Sequence, residues 1–393
     1  LETLCLDRQN GSILWRQRVE PAKLERGAQW SSPANATAAA DGRRVYVYFG
    51  CFGLLCYDFA GREQWRKPLP VPVTQHGAGT SPVLAGDKLL LACDQDVGAY
   101  LLAVDARTGE TAWRADRSQA RRGFTTPLAW PEDQPELVLV AGTLGLTAYQ
   151  VSDGVERWSL SGLPNEMVAS PIAGGGLVYV AGWTPGSTAG KLPPFDTVLA
   201  QGDKNQDGQL GREEAASGPA ASQFIYIDAD KDGRITRQEW ESIASIFERS
   251  QNACLAVRPD GRGDVTASHV VWKQGRGLPY VPTPLYYEGR LYLVKNGGLA
   301  SCFEARTGKA LYLEERLGAI GDYYASPVAA AGKICAASQS GLAVVYRAGD
   351  TLEVLARNQL GEPVLATPAL AEKILYVRTK EWLYAFGEPA EKH

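Results

Sequence analysis

The chain has 393 residues, enough for a large buried core, and a formal charge of −4, which leaves no electrostatic case for nucleic acid or an anionic membrane surface as a partner. No apolar run approaches ~18 residues, so no membrane-spanning helix is expected. The seven cysteines are odd in number and lack a tight pairing pattern, which argues for small buried hydrophobes rather than a disulfide framework.

The chain begins at Leu1 inside a predicted strand and contains one methionine, Met167, as a processed or truncated product would. Residues 4–15 predict a hairpin: a short strand, a turn from Asp7 to Gly11, and a second strand carrying Trp15. The same unit recurs at Asp58, Gly61 and Trp65, and in its fullest form at residues 103–113, A-V-D-A-R-T-G-E-T-A-W. There Asp105 accepts hydrogen bonds from turn N–H groups and Gly109 supplies a positive φ. Gly154 and Trp158 mark a further copy, and residues 303–308 keep the turn with Tyr312 in place of the tryptophan.

A second marker runs in step, a Ser/Thr-Pro dipeptide beginning at Ser32, Ser81, Thr126, Ser170, Thr283, Ser326 and Thr367. The gaps are 49, 45, 44, 113, 43 and 41 residues, five alike and one long. One hairpin cannot bury its own faces, so the period predicts an array of four-stranded units, an all-β propeller with one large insertion. Eight third strands are countable, near Leu6, Tyr57, Val104, Tyr149, Val257, Phe303, Val345 and Ala385, against seven Ser/Thr-Pro starts. Eight blades with the first incomplete are therefore expected. The competing count is a seven-bladed ring closed by pairing residues 4–15 with the last unit.

The repeat Ala-x-Asp-x-x-Thr-Gly-x-x-x-Trp resembles the tryptophan-docking repeat of propellers related to pyrroloquinoline quinone (PQQ) dehydrogenases, a family that includes non-enzymatic outer-membrane assembly propellers. The resemblance covers nearly the whole chain outside the insertion. It implies a propeller whose tryptophans pack between neighbouring blades, and it is specific for fold rather than chemistry. Quinoprotein dehydrogenases carry adjacent cysteines beside the cofactor, and no two cysteines are adjacent here. PQQ is not expected as a cofactor.

The pattern breaks after the second strand of the unit that starts at Ser170. Three segments are expected: propeller over 1–182, an insertion over 183–252, and propeller again over 253–393. The insertion opens on a Gly/Pro/Ser-rich stretch at 185–194 and then turns helical and acidic, forming a small α-helical domain. Two twelve-residue runs, 203–214 and 228–239, fit the EF-hand pattern at every required position. Their spacing supplies oxygen ligands in the order Ca²⁺ needs. Side chains come from Asp203, Asn205 and Asp207 and from Asp228, Asp230 and Asp232. The carbonyls of Gln209 and Arg234 follow, and Glu214 and Glu239 close each shell with both oxygens. Gly208 and Gly233 permit the sharp turn, while Leu210 and Ile235 are placed to join the loops through a short β-bridge. Thr236 and Glu239 predict a capping box for a helix whose Trp240, Ile243 and Phe247 share one face. The pair resembles EF-hand pairs of secreted bacterial proteins. Two calcium sites are expected, the second tighter because it holds four carboxylates against three.

Weaker signals carry less. Arg262-Gly263-Asp264 matches a cell-adhesion tripeptide but lies where a turn needs Gly and Asp anyway. Trp30, His76, Phe124, Glu166 and Tyr324 hold similar places before the Ser/Thr-Pro starts and predict a ring around a central channel. The histidines, His76, His269 and His393, stand in no nucleophile–base–acid spacing, so catalysis is not supported. The reading is a calcium-binding, non-catalytic extracytoplasmic scaffold whose partner is another protein. The alternatives are a PQQ-dependent oxidoreductase and a carbohydrate- or polymer-binding propeller.

Overall fold

The computed structural model describes residues 1–25, 31–187 and 192–387. Trp30, His393 and the middle of the Gly/Pro/Ser stretch lie outside them. The chain forms two compact units, one of residues 1–157, 164–167 and 184–251, the other of 158–163, 168–183 and 252–393.

The repeats are antiparallel sheets built in chain order. In the sheet at 83–116, Val83–Ala85 pairs with Lys88–Cys93, which pairs with Tyr100–Asp105, which pairs with Thr111–Asp116. The second and third strands, KLLLAC and YLLAVD, are apolar and buried along most of their length, as sheets covered on both faces require. The fourth strand, TAWRAD, alternates and keeps one face in solvent. Sheets of this kind start at Ala39, Val83, Leu128, Ile172, Leu285 and Val328, and a three-stranded one starts at Ala369. These are seven blades. The hairpin of Glu2–Leu6 and Ile13–Arg18 stays a two-stranded sheet of its own, so the expected eighth, half-present blade does not appear as a blade. It lacks the two apolar inner strands that fill a blade, and Leu4, Ile13 and Leu14 are exposed.

Within the first unit, each tryptophan reaches into the next repeat. The Trp15, Trp65 and Trp113 indole N–H groups donate to the carbonyls of Phe59 (3.0 Å), Ala106 (3.1 Å) and Val151 (2.9 Å). Within the second, Trp158 and Trp272 donate to Pro259 (3.3 Å) and Ala305 (2.9 Å). The turn glycine serves two needs at once. Gly109 has φ +75° and its Cα lies under the Trp65 ring, where an added Cβ would come within 2.6 Å. Asp105 Oδ1 accepts from the N–H groups of Arg107 (2.9 Å) and Thr108 (2.8 Å), as expected. Where Tyr312 replaces tryptophan, its buried hydroxyl has no hydrogen-bond partner among the described residues.

The Ser/Thr-Pro marker proves to be a second inter-blade link, which the sequence reading did not foresee. The Thr37 N–H donates to Ser81 Oγ (2.9 Å) and the Ser81 N–H to Thr126 Oγ1 (3.2 Å). In the second unit the chain of bonds runs from Ser170 to Thr283 (3.1 Å), Thr283 to Ser326 (2.9 Å) and Ser326 to Thr367 (3.0 Å).

The insertion leaves after strand Leu177–Gly182 and the chain returns at Ala253–Val257, two strands that pair directly, with Gly182 opposite Ala253. Its helices are α1 (Phe195–Gly202), α2 (Arg212–Ala215), α3 (Phe224–Ile227) and α4 (Arg237–Arg249). A small core of Phe195, Val198, Leu210, Phe224, Ile235 and Trp240 forms between them, with Leu144 of the third blade contributing. On α4 the buried face is Trp240, Ile243 and Ile246, with Phe247 packed at its margin. Both ends of the insertion meet at one blade-side asparagine. Thr184 Oγ1 donates to Asn165 Oδ1 (2.9 Å), and Ser250 Oγ accepts from the Asn165 N–H (2.7 Å).

Candidate metal centre

The two acidic loops fold alike because their residues have the same jobs. Position 1 of each is an aspartate at the end of a helix, Asp203 after α1 and Asp228 after α3. One oxygen of each, Oδ2, accepts from the N–H of the position-6 glycine, Gly208 (3.0 Å) or Gly233 (3.2 Å). Those glycines have φ +78° and +86°, and the preceding Gln206 and Lys231 are also left-handed, at +60° and +64°. Side chains at position 3 turn the loop by Asx bonds, Asn205 Oδ1 accepting from the Asp207 N–H (2.9 Å) and Asp230 Oδ1 from the Asp232 N–H (3.1 Å). Those at position 5 do the same, Asp207 Oδ1 accepting from the Gln209 N–H (2.9 Å) and Asp232 Oδ1 from the Arg234 N–H (2.8 Å). Leu210–Gly211 and Arg234–Ile235 then pair as the expected bridge, Leu210 opposite Ile235.

The last residue of each loop is held twice. Glu214 accepts from Gly211 (2.8 Å) and Lys204 (3.0 Å), bonds that keep its carboxyl below the usual range. Burial works against charge on Glu239, yet the Thr236 N–H and hydroxyl and the Ala229 N–H hold it below that range as well. Thr236 and Glu239 form the anticipated capping box on α4.

What remains inside each loop is an oxygen with nothing to bind. Asp203 Oδ1 and Asp228 Oδ1 are both buried and have no hydrogen-bond partner among the described residues. A buried carboxylate oxygen left in that condition is costly unless a cation meets it. In the second loop, oxygens of Asp228, Asp230 and Asp232 lie within 4.8 Å of one another. Burial pushes the Asp228 carboxyl up, as expected for acidic groups brought together without a counter-charge. Both loops therefore fit a hard cation that takes oxygen ligands.

They differ in charge. The Arg234 side chain crosses to the first loop and donates to Asp207 Oδ2 (3.0 Å) and Gln209 Oε1 (3.4 Å). Sequence spacing offered Arg234 only through its carbonyl. It gave no sign that its guanidinium offsets one of the first loop's three carboxylates.

The second loop also leans on the blades. Arg121 donates to the carbonyl of Tyr226, and Arg122 to Gln223 Oε1 (2.6 Å). The two guanidinium groups lie 4.6 and 4.0 Å from the centroid of the Tyr226 ring. Arg122 is anchored on Asp96 Oδ1 (2.9 Å) and Arg121 on the Asp96 carbonyl (2.5 Å). Beside them Arg117 and Asp94 form a fully buried pair (2.6 Å), with Arg117 also bonded to the Tyr149 hydroxyl (2.8 Å). None of this was legible in the sequence, since the partners stand 23 to 105 residues apart in no motif.

The other singled-out residues find ordinary places. His76 packs on Phe124 with ring centroids 5.7 Å apart. Gly263–Asp264 of the adhesion-like tripeptide is a short strand beside Trp158 and Ser159, and Asp264 Oδ1 accepts from the Thr266 N–H (2.9 Å). All seven cysteines are free thiols, five of them buried.

Residues 2–182 match the family model described as outer membrane protein assembly factor BamB, and residues 220–244 match the EF-hand model. Among solved structures, BamB from Moraxella catarrhalis aligns over 95% of this chain and 88% of its own, with a TM-score of 0.57 at 13% identity. The computationally designed Ika8 protein aligns over 97% and 89% (TM-score 0.61, 10% identity). The C-terminal WD40 domain of Sif2 aligns over 89% and 80% (0.53, 9%). At these identities the likeness is one of fold. RAS guanyl-releasing protein 1 of Xenopus laevis is 30% identical over 125 residues, 28% of this chain, and the chain spans only 15% of that relative's length. No helix among the described residues is long and apolar enough to cross a membrane. The chain is thus a β-propeller that is similar to the BamB family over residues 2–182 and to EF hands over 220–244.

Proposed function

We propose that this protein is a calcium-binding, non-catalytic propeller that works outside the cytoplasm as a scaffold for another protein. The observation that carries the calcium reading is the pair of buried, partnerless oxygens at Asp203 and Asp228, each inside a loop whose closing glutamate is already oriented. The ligands are Asp203, Asn205, Asp207, the Gln209 carbonyl and Glu214 at one site. At the other they are Asp228, Asp230, Asp232, the Arg234 carbonyl and Glu239. Calcium supplies the positive charge that the loops lack, and the chain supplies a ligand set ordered by the Asx bonds and glycines. Loops of extracellular type work at ~10⁻⁴–10⁻³ M calcium, which suits a permanently loaded structural site outside the cell. The scaffold role is supported by the BamB-type repeats and by the use of the tryptophans and turn glycines as structural contacts. Residues 1–182 and 253–393 would then be the propeller and 183–252 the calcium domain.

Calorimetric titration of calcium into chelator-treated protein tests this reading. Two sites are expected, both lost in the double variant Asp203→Ala with Asp228→Ala. Absence of any binding refutes the calcium reading. A third site that survives the double variant, or a visible absorption band from a bound quinone, would favour the oxidoreductase instead.

A further inference from the structure

We infer that Arg121 and Arg122 are positioning residues for the second calcium loop, so that calcium at Asp228 and the order of the loops around Asp96 are coupled. This rests on the calcium reading proposed above. The argument begins with α3, which enters the second loop with only four residues, Phe224–Ile227, after a single turn of 3₁₀ helix. So short a helix cannot hold its own direction, because nucleating a turn costs more than it returns. Its C-terminal carbonyls are also without intrahelical partners. In this protein the blades supply what the helix lacks. Arg121 donates to the Tyr226 carbonyl, two residues before Asp228. Arg122 grips Gln223 at the other end of the turn (2.6 Å). Tyr226, 1% exposed, is held between the two guanidinium groups and the insertion core.

The guanidinium groups are fixed in turn by Asp96, which is itself buried (2% exposed). The path from Asp96 through Arg121 and Arg122 to Tyr226 and Asp228 is therefore continuous. The first loop has no such support. It follows the eight-residue α1, and its hydrogen bonds stay within the insertion among the described residues. Coupling is reciprocal, so a change at the arginines must appear in calcium affinity at the second loop.

The test separates the loops by background. In Asp203→Ala protein, which keeps only the second site, adding Arg122→Ala is expected to weaken calcium binding about 10-fold by calorimetry. In Asp228→Ala protein, which keeps only the first, the same change is expected to leave affinity unaltered. Arg122→Lys, which keeps the charge and a donor, should restore part of the loss. An unchanged second-site affinity overturns the coupling while leaving the calcium reading intact. Equal weakening at both sites also overturns it, because that reports a general loss of structure. Should the arginine variants not fold, hydrogen exchange on the unsubstituted protein decides. Calcium is expected to slow exchange at residues 94–98 and 119–124, and no change there sinks the proposal. Failure of the unsubstituted protein to bind calcium at all overturns both readings together.

Discussion

The blades and the insertion are stabilised in opposite ways. A blade closes on itself: its inner strands are buried on both faces, and its tryptophan and Ser/Thr-Pro contacts repeat at fixed positions in the next. The insertion has a core of little more than a dozen side chains and two loops whose aspartates retain partnerless oxygens. Damage to a blade away from Arg121 and Arg122 should therefore cost the same with calcium and with chelator. Damage to the insertion should depend on which is present.

The sharpest way to break this contrast is Trp158→Ala. Trp158 is fully buried, and its loss should cost about 3–5 kcal/mol in denaturant unfolding, equally with calcium and with chelator. A calcium-dependent cost would show that coupling to the insertion reaches beyond the contact at Arg121 and Arg122. Calcium itself comes next. At 100 times Kd it should stabilise the protein by about 2.7 kcal/mol per site that is lost on unfolding, with protection concentrated in 195–250. Asp203→Ala with Asp228→Ala should remove that gain, as read by hydrogen exchange with and without the ion. Gly109→Ala should cost roughly 1–3 kcal/mol, because alanine is strained at φ +75° and its methyl meets the Trp65 ring. Thermal unfolding in chelator measures it.

Acid should find the turns. The N–H of Thr108, then that of Arg107, holds the Asp105 carboxyl below its ordinary value, and the Arg62 N–H does so at Asp58. A folded pKa below the unfolded one contributes stability that is present above about pH 3.9 and lost as pH falls through the folded value. Melting temperature should therefore fall below that pH in unsubstituted protein, and fall less in Asp105→Asn. The smallest effect sharpens the difference between the loops themselves. Arg234→Ala frees Asp207 and should tighten the first calcium site by about 0.2–1 kcal/mol, roughly 1.4- to 5-fold, by titration in the Asp228→Ala background.

What was legible in the sequence follows range. The Asp105–Gly109 turn, the Leu210–Ile235 bridge and the Thr236–Glu239 cap are set by residues within a few positions or within one motif pair, so spacing alone exposes them. The Ser/Thr-Pro marker was visible, but its hydroxyl link was not, because the partner lies 41 to 45 residues away along most of the chain. Arg121 and Arg122 belong to no motif, and only the fold brings Tyr226 between them. The eighth blade, expected to be only half present, is not confirmed: residues 4–15 carry the outer-hairpin signature in full and pair as a hairpin of their own, and the blades number seven, the competing count.

The meeting of Thr184 and Ser250 on Asn165 has a consequence for how such a chain is assembled. Two strands that pair directly at Gly182 and Ala253 need only a tight turn between them, so the insertion is a cassette on a closed hinge rather than a stretch of the repeat. Excising it and joining the strands through Asn-Gly should regenerate a plain repeat, with Leu144 newly in need of a polar replacement. The reverse operation asks more. A host blade would need more than the same hairpin to accept the cassette as a graft, because Asn165, Leu144 and the Arg121–Arg122 pair also hold it.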